Sequence, residues 1–268
     1  MREILQLNAD RFRGFADVYD NARPKCPKKV PEIILKYLGN NPSLIVDLGC
    51  GTGLSTTIWS GISNKVIGIE PSADMIQIAR EKVIDLKNVE FVSAFSDNTG
   101  LENCCADIIT CSQSFHWMNP ETTLSEVSRI LKKGGVFAVY DYDWPPVCNW
   151  KAELEYYKLF HKVKEIESTH PDVKDSFKRW DKGRHLLNMR NSGNFRYVRE
   201  IVFSNSEVCN AQRFIEMALS QGGLQAIMKV NIDEINSFLL SFQKRTLEIL
   251  GNSEFEIDFC YRMRIGIK

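Results

Sequence analysis

The stretch Val46-Asp47-Leu48-Gly49-Cys50-Gly51-Thr52-Gly53 decides the fold of this 268-residue chain. It continues the apolar run Leu44-Ile45-Val46, which predicts a buried strand that ends in a glycine-rich turn. Glycines let the backbone turn tightly and approach a ligand closely. The residues after the turn predict a helix over 54–60, whose first N–H groups would face the same ligand.

The rest of the first half alternates short apolar runs with segments of helical periodicity. The runs predict strands at residues 66–69, 89–92, 107–111 and 135–140. Before the last of these, Asn119-Pro120 predicts a helix start and Gly134 a helix end. Strands that alternate with helices predict an α/β fold with a mostly parallel, Rossmann-like sheet and helices on both faces.

The charge balance offers no general attraction to polyanions. Lys and Arg total 34, and Asp and Glu also total 34, so nucleic acid and anionic membranes gain nothing from net charge. No run approaches the roughly 20 apolar residues that span a bilayer, and the first residues lack the apolar core of a signal peptide. We therefore expect a cytoplasmic protein with no nucleic-acid or membrane partner.

The eight cysteines predict neither a metal site nor a redox site. Cys104 and Cys105 are adjacent, and no C-x-x-C pair occurs in the sequence. In a reducing compartment such cysteines behave mostly as small hydrophobic residues. The sequence therefore predicts free thiols and no bound metal.

The spacing of the glycine loop favours one ligand class over another. A dinucleotide site has the pattern G-x-G-x-x-G, whereas Gly49, Gly51 and Gly53 follow G-x-G-x-G. Asp47 just before the loop would repel a phosphate and attract an ammonium group. Glu70 stands 17 positions after Gly53 and can accept hydrogen bonds from ribose hydroxyls in either ligand class. The loop therefore favours a cofactor that carries an amino acid.

This loop resembles the signature of class I S-adenosylmethionine-dependent methyltransferases, of the kind called methyltransferase type 11. Three more segments resemble later motifs of that family in the same order: Glu70-Pro71-Ser72-Ala73-Asp74-Met75, Ala106-Asp107-Ile108-Ile109-Thr110 and Leu131-Lys132-Lys133-Gly134-Gly135. The resemblance implies a seven-stranded sheet whose last strand is antiparallel. Residues 198–203 and the alternating run 255–261 would be its sixth and seventh strands.

The resemblance also implies S-adenosylmethionine as cofactor and S-adenosylhomocysteine as product. Asp47 and the glycines would hold the methionine part, Glu70 the ribose, and Pro71 or Met75 the adenine. Alternatively, Met75 packs in the hydrophobic core of its helix and does not contact the adenine. The backbone at Ala94-Phe95 would contact the adenine amino group, because the usual acidic side chain is missing there. The cofactor-binding residues implied in this way are Asp47, Gly49, Cys50, Gly51, Gly53, Glu70, Pro71, Met75, Ala94, Phe95, Ser112, Tyr19 and Arg23.

A narrower resemblance concerns the acceptor. Residues 15–24 and 112–119 are similar to small-molecule methyltransferases that include trans-aconitate-type carboxyl methyltransferases. His116 could act as general base or orient the acceptor, with a packed aromatic pair as the alternative. Trp117, Tyr142 and Arg23 are the predicted substrate contacts. Arg23 can bind a carboxylate with two hydrogen bonds, and its alternative is a solvated surface arginine.

The domain organisation follows from the same pattern. Residues 1–40 are predicted to form a helical segment over the cofactor, 41–145 the cofactor-binding core, and 146–195 a mainly helical lid. Residues 196–268 would complete the sheet, with a helical insertion at 207–250. A polar cluster in the predicted lid is interpreted as a solvated face. Its members are Arg179, Arg184, His185 and Arg190.

Function is predicted as in-line methyl transfer from S-adenosylmethionine to a small molecule, with a carboxylate among the candidate acceptors. Three alternatives stay open. One is an NAD(P)-dependent oxidoreductase on a similar sheet, which the loop spacing disfavours. The second is a methyltransferase-like binding protein without turnover. The third is a protein or RNA methyltransferase, and zero net charge disfavours RNA.

Overall fold

A computed structural model describes residues 2–11, 20 and 22–268 of the chain. Its strands are β1 (Leu44–Leu48), β2 (Lys65–Ile69), β3 (Val89–Val92), β4 (Ala106–Ser112), β5 (Leu131–Tyr142), β6 (Tyr197–Cys209) and β7 (Phe255–Ile267). They form a seven-stranded sheet in the order β3-β2-β1-β4-β5-β7-β6. This order brings the carboxyl ends of β1 and β4 together, which is where ligands bind in open α/β sheets.

The strand directions confirm the predicted fold class. Strands β1 to β5 pair in parallel with their neighbours. Strand β7 runs antiparallel to β5, from the pair Val136↔Ile267 to the pair Tyr142↔Tyr261. Every strand expected from the sequence is present, and the last three are longer than predicted; β7 extends to Ile267 because its last residues pair with β5.

Helices flank the sheet and fill the second half of the chain. Those in the described residues are α1 (Arg2–Asp10), α2 (Lys29–Leu38), α3 (Ala73–Lys82), α4 (Pro120–Ile130), α5 (Trp150–Thr169), α6 (Pro171–Lys174), α7 (His185–Asn191), α8 (Ala211–Leu219), α9 (Gly222–Lys229) and α10 (Asn236–Leu250). Helix α4 begins as predicted, since Asn119 Oδ1 accepts a hydrogen bond of 3.0 Å from the Glu121 N–H.

Two predicted helix positions are wrong. The expected helix over 54–60 is a set of turns with one 3₁₀ turn at Thr57–Trp59. Its residues Ser55 and Thr56 donate their hydroxyl groups to Asp47, and such side-chain bonds compete with helix formation. Helix α4 ends at Ile130, before Gly134, because the chain enters the longer strand β5 at the next residue.

The described residues divide into two compact units. The first contains those of Met1–Pro24, Asp143–Lys178 and Ser204–Cys260, and the second contains Lys25–Tyr142, Arg179–Phe203 and Tyr261–Lys268. The first unit holds α1, α5, α6 and α8 to α10, and the second holds β1 to β5 with the helices between them. The predicted lid, residues 146–195, is therefore divided between the units: residues 146–178 belong to the first and residues 179–195 to the second.

The core of the second unit lies on one face of the sheet, under α4. Alternate residues of three neighbouring strands point into it, as the period of two in a strand requires. They are Val46, Leu48, Ile109, Cys111, Phe137 and Val139, and they pack with Leu124, Val127 and Ile130 of α4. Among the described residues, no helix has the length and apolar character needed to cross a bilayer.

Replacing Phe137 by Ala should destabilise the protein by about 3–5 kcal/mol, because a cavity replaces a large buried ring. The Phe137 side chain is fully buried, and its ring lies 6.0 Å from Phe115 and 5.8 Å from Phe195. Urea unfolding monitored by fluorescence measures the change. Ile84→Ala is the control, since Ile84 is 78% exposed and should change stability by less than about 0.5 kcal/mol. Equal effects of the two substitutions would contradict this description of the core.

Candidate functional site

Asp47 is the buried centre of the site at the carboxyl end of β1. Its side chain is fully buried. Oδ2 accepts hydrogen bonds from Ser55 Oγ at 2.7 Å and Thr56 Oγ1 at 2.8 Å, and Oδ1 accepts one from Thr110 Oγ1 at 2.8 Å. Burial raises the pKa of Asp47, and the three hydroxyl groups oppose that rise. The carboxylate therefore ties the end of the glycine loop to β4.

The loop itself turns around Gly49 and Gly51. Both have positive φ values, 65° and 54°. A Cβ at Gly49 would lie 2.6 Å from Met118 Cε and 2.7 Å from Ser114 Cβ, so only glycine fits there. A Cβ at Gly51 would meet nothing within 4 Å. Gly51 therefore presents bare backbone to open space, which suits close approach of a ligand.

Glu70 joins this loop to the end of β2. Its Oε2 accepts a hydrogen bond of 3.1 Å from the Gly51 N–H, and its Oε1 accepts one of 2.9 Å from the Ser72 N–H. Burial raises the pKa of Glu70 to about 7; those two N–H groups lower it, and the charge of Asp47 adds to the rise. Glu70 is thus a carboxyl group that changes charge near neutral pH.

The remaining residues predicted to contact the cofactor differ in their burial. Met75 is buried in α3, and Cys50 is buried in the loop with a thiol pKa that burial raises. Partly exposed positions follow the strands β2, β3 and β4, and these are Pro71, Ala94, Phe95 and Ser112. Tyr19 lies outside the described residues. The structure thus brings Asp47, the glycines and Glu70 together, and the roles of the others stay predictions.

His116 lies in a 3₁₀ turn, Phe115–Trp117, just after β4. The turn starts from Gln113, whose φ of 51° is unusual for a residue other than glycine. The imidazole is buried, and burial together with the charge of Lys182 lowers its pKa to about 3. Trp117 is half-buried, 4.9 Å from the His116 ring, and the Arg179 guanidinium lies 5.1 Å from the Trp117 ring centre.

Asp141, near the end of β5, is the functional candidate that sequence reasoning missed. Its Oδ2 accepts a hydrogen bond of 3.0 Å from Arg264, and Lys182 Nζ lies 3.1 Å from its Oδ1. His116 Nδ1 is 3.7 Å from Oδ1, and His185 Nε2 is 3.9 Å from Oδ2. Burial acts to raise the pKa of Asp141, but the charge of Lys182 and the His116 contact hold it far below its usual range.

His185, which belongs to this cluster, contradicts part of the prediction that the polar residues of 179–190 form a solvated face. Arg179, Arg184 and Arg190 are exposed, as expected, but His185 is fully buried. The sequence signal that could have pointed to Asp141 is a charged residue at the end of an apolar strand, where a buried charge needs partners. Nothing in the local pattern identifies those partners.

The predicted substrate residues do not share one unit. Arg23 lies in the first unit, where its Nε donates a hydrogen bond of 2.8 Å to Ser220 Oγ and its guanidinium lies 4.9 Å from the Trp144 ring centre. Tyr142 lies in the second unit, buried against Tyr261 with ring centres 5.4 Å apart. Arg23 is thus a partly buried, paired arginine rather than a solvated one.

Comparison with known proteins gives consistent matches. Residues 46–139 match the family model described as "Methyltransferase domain". A Saccharomyces cerevisiae protein, described as a probable S-adenosylmethionine-dependent methyltransferase, is 33% identical over 52% of this chain and 50% of that protein. A ubiquinone/menaquinone biosynthesis C-methyltransferase of Campylobacter jejuni is 31% identical over 50% of this chain and 62% of that protein.

A solved structure agrees over most of the chain. Phosphoethanolamine N-methyltransferase 2 of Haemonchus contortus, in complex with S-adenosylhomocysteine, superposes with a TM-score of 0.57 and 15% identity. The superposition covers 97% of this chain and 60% of that one. At this identity the likeness shows the fold alone.

Together these matches confirm the class I methyltransferase fold, and residues 46–139 are similar to the family described as a methyltransferase domain. The predicted cofactor, S-adenosylmethionine, agrees with the description of the yeast relative. The chain spans only about half of the yeast relative's length, so the activity of the whole protein is a separate question. The trans-aconitate-type subgroup stays a prediction.

Replacing Gly49 by Ala should destabilise the protein by about 2–5 kcal/mol and weaken cofactor binding. The new methyl group would collide with Met118 and Ser114 at a positive φ, so overpacking adds to backbone strain. Thermal unfolding and calorimetric titration with S-adenosylmethionine measure the two effects. Gly61→Ala is the matched control, because a Cβ at Gly61 meets nothing within 4 Å. A Gly49→Ala variant as stable as Gly61→Ala would contradict the described loop geometry.

Proposed function

We propose that the protein is an S-adenosylmethionine-dependent methyltransferase that acts on a small molecule, and that the acceptor group is a carboxylate. The main support for S-adenosylmethionine as the cofactor is the hydrogen bond from the Gly51 N–H to Glu70. A carboxylate and an open glycine backbone lie side by side at the ends of β1 and β2. The low pKa of His116 supports the acceptor half.

The residues of the loop fit the cofactor by their chemistry. Glu70 uses two of its roughly four acceptor positions on the Gly51 and Ser72 N–H groups, which leaves two for ribose hydroxyls. Gly51 lets the ligand come within contact distance of the backbone. Asp47 uses three of its roughly four acceptor positions on hydroxyl groups, which leaves Oδ1 able to accept one more bond. The bound cofactor supplies a methyl group on a positively charged sulfur.

The acceptor argument starts from proton transfer. A general base works best when its pKa lies near the working pH. His116, with a pKa of about 3, is neutral at pH 7 but holds a proton weakly, so it is a poor base for a phenol or an ammonium group. A carboxylate, with an ordinary pKa of about 4, is already ionised and needs no base. His116 would then orient the acceptor for in-line attack rather than deprotonate it.

The charges near His116 point the same way. Lys182 and Arg179 are both close to the 113–117 segment, since Lys182 Nζ donates a hydrogen bond of 2.8 Å to Gln113 Oε1 and Arg179 lies over Trp117. Because Lys182 is already paired with Asp141, the Arg179 guanidinium over Trp117 supplies the positive charge that favours an anion. We therefore propose an anionic acceptor that packs on Trp117, with Tyr142 as a further candidate contact.

The direct test is a methyl-transfer assay on a panel of small carboxylic acids, phenols, quinols and amines, with S-adenosylhomocysteine release as the readout. We expect turnover with carboxylic acids. Turnover with quinols alone would favour C-methylation, as named for the Campylobacter relative. Turnover with proteins or RNA alone would overturn the small-molecule proposal. Cofactor binding without turnover on any acceptor would favour the binding-protein alternative.

Cofactor affinity should rise with pH through about 7 and then level off. Glu70, with a pKa of about 7, must be ionised to accept two ribose hydrogen bonds, so at pH 6 the affinity should be about tenfold below its plateau. Calorimetric titration from pH 6 to pH 8.5 measures this. In Glu70→Gln the affinity should be low and independent of pH over this range. Glu81→Gln, an exposed control in α3, should keep the dependence. A flat wild-type profile would contradict the role of Glu70.

Replacing His116 by Ala should lower kcat by about 10- to 100-fold, because the acceptor loses an orienting group. It should leave the cofactor affinity within about twofold. Single-turnover methyl transfer and calorimetry separate the two effects. The control is His161→Ala, an exposed histidine of α5. Unchanged turnover in His116→Ala would remove His116 from the site.

A further inference from the structure

Three buried imidazole nitrogens lie together at the end of β5 without a hydrogen-bond partner. They are His116 Nδ1 and both ring nitrogens of His185, and no residue in the described part of the chain satisfies them. His185 is fully buried. More than about nine in ten buried polar groups in proteins are hydrogen-bonded, because an unsatisfied buried group loses its bonds to water without replacement. Such a concentration of unpaired nitrogens points to a ligand that accepts lone pairs.

The geometry of the cluster fits a metal ion. His116, Asp141 and His185 each offer one ligand atom, and these atoms lie within 4.8 Å of one another. His116 Nδ1 is 3.7 Å and His185 Nε2 is 3.9 Å from the Asp141 carboxylate. Two ligands of a tetrahedral ion, each about 2.1 Å from it, are about 3.4 Å apart. For one ion to bind, the two histidine–aspartate distances would have to shorten by a few tenths of an ångström, and the widest separation among the three ligand atoms, which is at most 4.8 Å, by up to about 1.4 Å.

We propose that His116, Asp141 and His185 form a binding site for one divalent transition-metal ion of the zinc or cobalt type. Two imidazoles and one carboxylate are a ligand set that such ions accept, with a further position left for water or another ligand. The absence of zinc spacing among the cysteines does not bear on this site, because its ligands are distant in sequence. The proposal does not depend on methyl transfer.

Two positively charged side chains, Arg264 and Lys182, already contact Asp141 and would compete with a metal ion for it. Arg264 pairs with Asp141 at 3.0 Å, and Glu200 balances its charge at 2.8 Å. Lys182 is the competitor, since its Nζ lies 3.1 Å from Asp141 Oδ1. The Lys182 side chain is 33% exposed, so it can turn towards solvent. A divalent ion that replaces the singly charged Lys182 ammonium raises the net charge of the cluster by one. Because Lys182 competes for Asp141, it limits the affinity of the site for the ion.

Cobalt binding tests the site on the full chain. Chelator-treated protein is titrated with Co²⁺, and the visible absorption is recorded together with the near-ultraviolet bands that thiolate ligands produce. We expect one Co²⁺ per chain, visible bands, and no thiolate bands despite the eight cysteines. Either no stoichiometric binding or binding with thiolate bands would overturn the proposal. The first of these results would identify the cluster as an ion-pair network alone.

Amino-acid substitutions test which side chains bind the metal ion. His185→Ala should weaken Co²⁺ binding at least about tenfold, while His161→Ala, at an exposed histidine, should leave it unchanged. Lys182→Met should strengthen binding several-fold, because it removes the competing ammonium while Arg264 still pairs with Asp141. Circular dichroism checks the fold of each variant. Weaker binding in Lys182→Met, or equal binding in a folded His185→Ala, contradicts the proposed site.

Discussion

The buried carboxylate of Asp47 is the constraint on which the site depends. A charge without partners inside a protein costs several kcal/mol, so its position requires hydrogen-bond donors. Ser55, Thr56 and Thr110 supply them. Two of these donors come from the segment after the glycine loop and one from β4, so a single side chain fixes the loop against two strands. The loss of a regular helix at 54–60 is a consequence of the same bonds.

Two more buried carboxylates lie near the carboxyl ends of β2 and β5, and each has different partners. Glu70 accepts hydrogen bonds from backbone N–H groups, which lower its pKa, but burial outweighs them and raises the pKa. Asp141 is held by Lys182 and Arg264, and its pKa falls. Hydrogen bonds from neutral groups leave a carboxylate able to accept a new ligand, whereas ion pairs keep it charged. The cofactor and acceptor sides of the proposed site therefore have different electrostatics.

The sequence predicted the strands and the loop well because their signals are local. An apolar run identifies a buried strand, and the spacing of Gly49, Gly51 and Gly53 identifies a turn close to a ligand. Errors occurred where a local signal was outweighed by a distant partner. Ser55 and Thr56 bond to Asp47 instead of continuing a helix, and His185 is buried although the residues around it are polar and exposed.

The sequence by itself determined the fold class, the order of the strands along the chain and the acidic residues around the glycine loop, since these depend on neighbours a few residues apart. Only the tertiary structure decided which charges meet. The Asp141 cluster unites side chains from the turn after β4, from β5, from α7 and the segment before it, and from β7. Their proximity arises from parallel pairing of β4 with β5 and antiparallel pairing of β5 with β7. The pKa of each group follows from that burial and those charges, which no local pattern records.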